Sequence, residues 1–217
     1  MSCSVHLKEI SYSNENKSIL TQINLHVGHE EKVAIIGANG SGKSTLLKII
    51  AGLVSPTSGS IELFHEPMKS LKAFKAHRHQ IGYLPQDVNN HFLCPTVIED
   101  VCFSLRANKI SQKEAIHKAE KLLEQLNITH LKNRSVFELS GGEQKTAALA
   151  GLLVLEPKIL LLDEPTNALD EQSQEKIIDL LNGIKKSMII VSHHKSFIES
   201  LSSSMYELKN ANLTKIK

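Results

Sequence analysis

Apolar residues fall along the chain in two rhythms, short unbroken runs and longer stretches with helical spacing. The runs at residues 33–36 and 159–163 and at 188–192 read as buried strands. Residues 5–12 and 19–27 read as strands too, and Ile23, Leu25 and Val27 alternate with polar residues, so the second is half-buried. The cluster Asn14-Glu15-Asn16-Lys17 between them is their turn. Ser55-Pro56-Thr57-Ser58-Gly59 is a strong turn signal ahead of a short strand at 61–64. A polar, helical connector at 71–79 leads to a strand at 81–85 that ends at Gln86.

A helical block follows. Thr96 caps a helix running through Val97, Val101 and Leu105, with Glu99 completing a capping box. Ser111 and Glu114 form a second box, behind which Ala115, Ala119, Leu122, Leu123 and Leu126 keep helical spacing. An apolar helix opens at residues 139–143 and runs to 155, stopped by Pro157. Shorter helices are predicted at 46–51, at 172–184 and from Lys195. Two end strands, 205–208 and 213–216, meet at Asn210-Ala211-Asn212. The alternation predicts an α/β fold with a mainly parallel core, and the early strands form a separate antiparallel layer.

Composition narrows the classes. The formal net charge of +2 implies no strong nucleic-acid field. The longest apolar run, residues 147–155, is far short of the roughly 20 residues of a membrane span. No apolar signal segment opens the chain. Cys3, Cys94 and Cys102 have no metal-ligand spacing and read as reduced thiols of a cytoplasmic protein. His77, Arg78 and His79, with His91 nearby, read as a solvated connector rather than a metal site.

Gly37-Ala38-Asn39-Gly40-Ser41-Gly42-Lys43-Ser44-Thr45 matches the P-loop pattern, between a strand and a helix. Its glycines let backbone N–H groups converge on one spot at a helix N-terminus, where the dipole also favours an anion. Lys43 is expected to reach the β- and γ-phosphates of ATP, and Ser44 to take a place on Mg²⁺. The apolar run 159–163 ends in Asp163 and Glu164. Asp163 suits the metal, and Glu164 suits polarisation of an attacking water.

The stretch Leu139-Ser140-Gly141-Gly142-Glu143, with residues 159–170 behind it, resembles the signature and Walker B region of the ATP-binding cassette (ABC) ATPases. The likeness covers nearly the whole chain, in order. It implies the cassette fold: a P-loop, RecA-like core with an antiparallel β layer (residues 1–86 and 157–217) and a helical signature subdomain (about 87–156). It further implies that Tyr12 stacks on adenine, that Gln86 senses Mg²⁺ and the attacking water, and that His193 contacts the γ-phosphate. Ala168-Leu169-Asp170 matches the D-loop, with Asp170 communicating across a dimer. Ser140, Gly141 and Gly142 would cover the ATP held by the P-loop of a second cassette, in a homodimer or a heterodimer. Glu143 and Gln144 read as helix-face residues.

Within the family, Gln86-Asp87 and residues 95–103 resemble the energy-coupling-factor branch, Asp100 being the telling residue. Residues 141–143, 148–151 and 155–157 look similar to that branch as well. Asn90, His91 and Thr146 depart from its pattern. The resemblance implies integral membrane subunits docked on the helical block, a place on the cytoplasmic face of the membrane, and uptake of nickel or cobalt ion. A vitamin is the alternative cargo. A non-transport ATPase acting on DNA or the ribosome is the alternative class, though no heptad run for a long coiled coil is present.

Overall fold

The computed structural model describes residues 3–15, 17–88, 91–167, 169–193 and 195–217. The positions of Asn16 in the first turn, Asn90, Ala168 and His194 lie outside the described residues.

Ten strands form two sheets. The first is antiparallel: β1 (Cys3–Asn14), β2 (Lys17–Gly28), β4 (Ser58–Leu63) and β5 (Glu66–Pro67), in the order β2-β1-β4-β5. The second contains β3 (Lys32–Ile36), β6 (Ile81–Leu84), β7 (Ile159–Asp163), β8 (Ser187–Val191), β9 (Ser204–Lys209) and β10 (Asn212–Lys215). Its order is β10-β9-β3-β8-β7-β6, parallel except for the β9–β10 hairpin. Every residue of β7 and β8 is buried, which is why these strands read as unbroken apolar runs.

Among the described residues there are seven α-helices, besides three single 3-10 turns: α1 (Lys43–Ile50), α2 (Leu71–His77), α3 (Val97–Ala107), α4 (Gln112–Gln125), α5 (Gly141–Leu153), α6 (Glu171–Gly183) and α7 (Lys195–Leu201). The expected helix at 46–51 begins earlier, so that Lys43, Ser44 and Thr45 form the first turn of α1. At the other end of α5, residues 154–157 turn away, with Glu156 at φ 52° before Pro157. Thr96 donates to Glu99 Oε2 from its backbone N–H at 3.2 Å, the bond its box predicts, and from its hydroxyl at 2.6 Å, which turns that hydroxyl onto the carboxylate. Ser111 accepts from the Glu114 N–H at 3.3 Å.

Three apolar cores hold these layers. One lies between the antiparallel sheet, α1 and one face of the parallel sheet, around Ile10, Leu25, Leu46, Ile50 and Leu161. A second fills the other face, where Leu160 and Ile190 meet Ile177 and Leu181 of α6 and Phe197 of α7. The third joins α3, α4 and α5 through Val101, Leu105, Ala119, Leu123 and Ala147. Helix α5 belongs to two of them. Ala148 and Leu149 enter the second core, and Ala147, Ala150 and Val154 enter the third. From Ala147 to Ala150 the helix is buried all round, and there it joins the parallel sheet to the helical block.

Among the described residues, no helix is long and apolar enough to cross a membrane.

Candidate nucleotide site

The loop between β3 and α1 faces the tips of β6 and β7. Together they enclose a cavity of about 410 Å³ lined by Ile19, Asn39, Gly40, Gly42, Lys43, Ser44, Thr45, Gln86, Asp163 and Glu164. Gly42 stands at the head of α1 with φ 105°, and a Cβ there would lie 2.9 Å from the Ile19 side chain. Only glycine accepts both that backbone and that neighbour.

The Lys43 ammonium is curled back on its own loop, donating to the carbonyls of Gly37 and Ala38 at 2.8 and 3.0 Å. Lys43 is 7% exposed, so this cation sits at the base of the cavity rather than in solvent. Two carboxylates close the other side. Asp163 and Glu164 are both buried. The Ser44 hydroxyl bonds Asp163, and Asp163 Oδ1 is buried without a hydrogen-bond partner. Burial pushes the Asp163 carboxyl up, reinforced by the neighbouring Glu164 and opposed by Ser44 and the Lys43 and Lys48 cations. Tyr83 lies close by, its phenol raised to about 12 by burial and by the charge of Asp163.

Glu164 is held differently. Its backbone is left-handed, φ 49°, an uncommon state for a residue with a side chain. Its N–H donates to the Val191 carbonyl at 2.9 Å. Oε1 lies 3.0 Å from His193 Nδ1, and Oε2 is buried with no partner. A half-exposed histidine thus meets a buried carboxylate that lines the cavity, though His193 itself is not among the lining residues.

Unpartnered oxygens at Asp163 and Glu164 and the Ser44 hydroxyl, all lining the cavity, form a hard, oxygen-only donor set. That chemistry fits Mg²⁺, and the glycine loop with its lysine fits a triphosphate.

Asp163 gives a stability prediction. Its native pKa is raised, so the folded chain takes up its proton before the unfolded chain as the pH falls. Stability therefore rises as the pH drops through the raised value, and at neutral pH the ionised group costs stability. Asp163→Asn is expected to raise the Tm of the nucleotide-free chain by about 2–4 °C, and to abolish stabilisation by Mg²⁺–ATP. Differential scanning calorimetry with and without nucleotide checks both.

The remaining predicted site residues lie elsewhere. Tyr12 packs against the first core and is not among the residues lining the cavity. Ile19, which sequence reasoning missed, lines it instead. Ser140 caps α5: its N–H donates to Glu143 Oε2 at 2.7 Å, and its Oγ accepts from the Glu143 N–H at 3.4 Å. Hydrogen bonds from Ser140, aided by Arg134, hold the Glu143 carboxyl below its usual range. A Cβ on Gly142 would meet Ser173 Oγ at 2.6 Å, so this glycine lets α5 seat against the first turn of α6. Asp170 caps α6, accepting from the Ser173 N–H at 2.9 Å and its hydroxyl at 2.7 Å. None of Ser140, Gly141, Gly142 or Asp170 lines the P-loop cavity of its own chain. Asp100, singled out by sequence, accepts from the N–H groups of Leu93 and Cys94 at 2.7 and 3.0 Å.

A parallel sheet, a glycine loop heading a helix and an acidic strand tip define the P-loop nucleotide-binding class. The family model described as ABC transporter matches residues 20–167. A protein of Brucella suis biovar 1 named as an ABC transporter ATP-binding protein is 39% identical over 207 residues, covering 95% of this chain and 86% of its own. An uncharacterized ABC transporter ATP-binding protein of Haemophilus influenzae is 37% identical and covers 93% of both. Among solved structures, CbiO1 of Clostridium perfringens, part of the ABC transporter complex CbiONQ, has a TM-score of 0.87. It is 30% identical, covering 99% of this chain and 88% of its own. The bacterial ABC transporter cassette MJ0796, solved as a dimer, also has a TM-score of 0.87, at 28% identity, covering 98% of this chain and 99% of its own. The chain belongs to the ABC transporter family, as an ATP-hydrolysing subunit that uses ATP and Mg²⁺.

Proposed function

We propose that the chain powers an importer of the energy-coupling-factor branch, most simply one for nickel or cobalt ion, from the cytoplasmic face of the membrane. Asp100 carries the reading. It is the residue that marks the branch in residues 95–103, and it has a physical task, clamping the Leu93–Cys94 turn. That turn and the adjoining helix present Leu93 and Phe103, which are 68% and 43% exposed. Large apolar side chains held outward on a fixed turn suit docking by integral membrane subunits on the helical block, residues 87–156 of a single cassette. The likeness to CbiO1 supports the same branch.

In the nucleotide cycle, Lys43 and the N–H groups of the glycine loop hold the β- and γ-phosphates. Ser44 and Asp163, with Gln86 at the rim, would hold Mg²⁺, which neutralises developing charge on the phosphates. Glu164 accepts a hydrogen bond from the attacking water through Oε2, and His193 meets the γ-phosphate. Tyr12, one strand from Ile19, would meet the adenine face. The cap residues Ser140, Gly141 and Gly142, remote from their own P-loop, close over the ATP of a second cassette, with Asp170 between the two sites.

The test is a deletion strain lacking other high-affinity importers. Uptake of radioactive nickel and cobalt at nanomolar supply is expected to be lost, restored by the wild-type gene and not by Lys43→Ala. Normal uptake of both ions overturns the metal reading, and loss of vitamin uptake reassigns the cargo.

A further inference from the structure

Lysine is almost never fully buried unless its charge is satisfied. Lys145, on α5, is 5% exposed. Its ammonium donates to the carbonyl of Glu164 at 2.9 Å and to that of Asn167 at 2.9 Å. These two carbonyls are the ends of one turn, which the Asn167 N–H closes on the Glu164 carbonyl at 3.1 Å. The turn is therefore wrapped around a cation delivered by another helix. Burial lowers the Lys145 pKa, and the charges of Glu164 and Asp163 oppose that shift.

The first residue of this turn is Glu164, whose left-handed backbone is held from both sides. Val191 takes its N–H, and Lys145 supplies a donor to its carbonyl. A non-glycine residue persists in that conformation only when its surroundings over-determine it. The acceptors lie 19 and 22 residues from Lys145 in sequence, so the restraint is tertiary.

We propose that Lys145 is a positioning residue for hydrolysis. It holds the Glu164–Asn167 turn so that the Glu164 carboxylate faces the phosphate cavity, and it ties that turn to the helix capped by Ser140. The inference rests on Glu164 polarising the attacking water. Lys145 does not line the nucleotide cavity, so its loss acts on turnover and not on nucleotide binding.

The experiment is a mutant cycle in the purified full chain with Mg²⁺–ATP, using Lys145→Met, Glu164→Gln and the double variant. Lys145→Met is expected to lower kcat by about 10- to 100-fold, since small misplacements of a reacting group cost that much. KM for ATP is expected to stay within about twofold. In the Glu164→Gln background, Lys145→Met is expected to leave the residual rate unchanged, because the group it positions is already gone. If Lys145→Met does not fold, as read by circular dichroism, the same cycle is run with Lys145→Gln, which keeps an amide donor. Wild-type turnover in the Lys145 variant, beside an inactive Glu164→Gln, overturns this proposal alone. So does an equal loss in both backgrounds, which marks a general structural effect. Wild-type turnover in Glu164→Gln removes the assignment of Glu164, and this proposal with it.

Discussion

Glu164→Gln is expected to bind Mg²⁺–ATP as the wild type does and to hydrolyse it about 10²- to 10⁴-fold more slowly, the usual contribution of a positioned general base. The substitution keeps the shape of the side chain and an oxygen that can meet His193 Nδ1, now 3.0 Å from Oε1. What it removes is the charge on a buried carboxylate whose Oε2 has no other partner. Phosphate release under single-turnover conditions measures the chemical step, and nucleotide titration measures binding. Near-wild-type phosphate release would mean that another group activates the water. The wild-type carboxylate is buried, and the nearest titratable side chain, the half-exposed His193, is the first candidate for that substitute.

The second large effect concerns association. In Glu164→Gln, ATP with Mg²⁺ is expected to double the mass seen by light scattering, because hydrolysis no longer releases the closed pair. Adding Ser140→Arg is expected to abolish that shift. Ser140 is the cap of α5, and its Oγ and N–H sit within the reciprocal bonds to Glu143. An arginine there removes the cap, worth about 0.5–2 kcal/mol of helix stability, and fills the space where phosphate oxygens would lie. The Ser140→Arg single variant, assayed for ATP binding as a monomer, separates loss of the interface from loss of the fold. An ATP-induced dimer that survives in the double variant would refute a composite site built from two chains.

Much of this architecture was legible in the amino-acid order because it is local. The strand at Ile159–Asp163 is bounded by Pro157 on one side and acidic residues on the other, and its residues are all apolar until the tip. Capping patterns announce α3 and α4 because Thr96 and Ser111 each stand three positions before a Glu. The cavity was legible in the same way, since the glycine loop is one contiguous stretch. What escaped was long-range. β1 and β2 each run 12 residues, longer than their apolar alternation, because pairing with neighbours extends them through polar positions. Ile19 reaches the cavity through the approach of β2 to Gly42, which no spacing encodes. Lys145 stands in sequence as one polar residue on a largely apolar helix. Its burial depends on two carbonyls supplied by a later turn. The left-handed backbone of Glu164 carries no signal either, for glutamate is an ordinary choice only where φ is negative.

The cap at Ser140 also bears on the order of events. A bare helix N-terminus draws anions from a distance, because about half a positive charge is left uncompensated there. At α5 that charge is already met by the chain's own Glu143, kept ionised by Ser140 and shared with Arg134 at 3.6 Å. At α1 no acidic residue stands in the first turn, and Lys43 adds a full positive charge. The two helix heads thus differ: the first turn of α1 carries positive charge of its own, facing Asp163 and Glu164 across the cavity, whereas that of α5 is already neutralised. In the proposed pairing of two cassettes, the self-screened cap would engage phosphate only at contact range, after the nucleotide has been delivered on the P-loop of a second molecule. Capture and closure would then be sequential encounters, the first governed by charge at the P-loop, the second by shape.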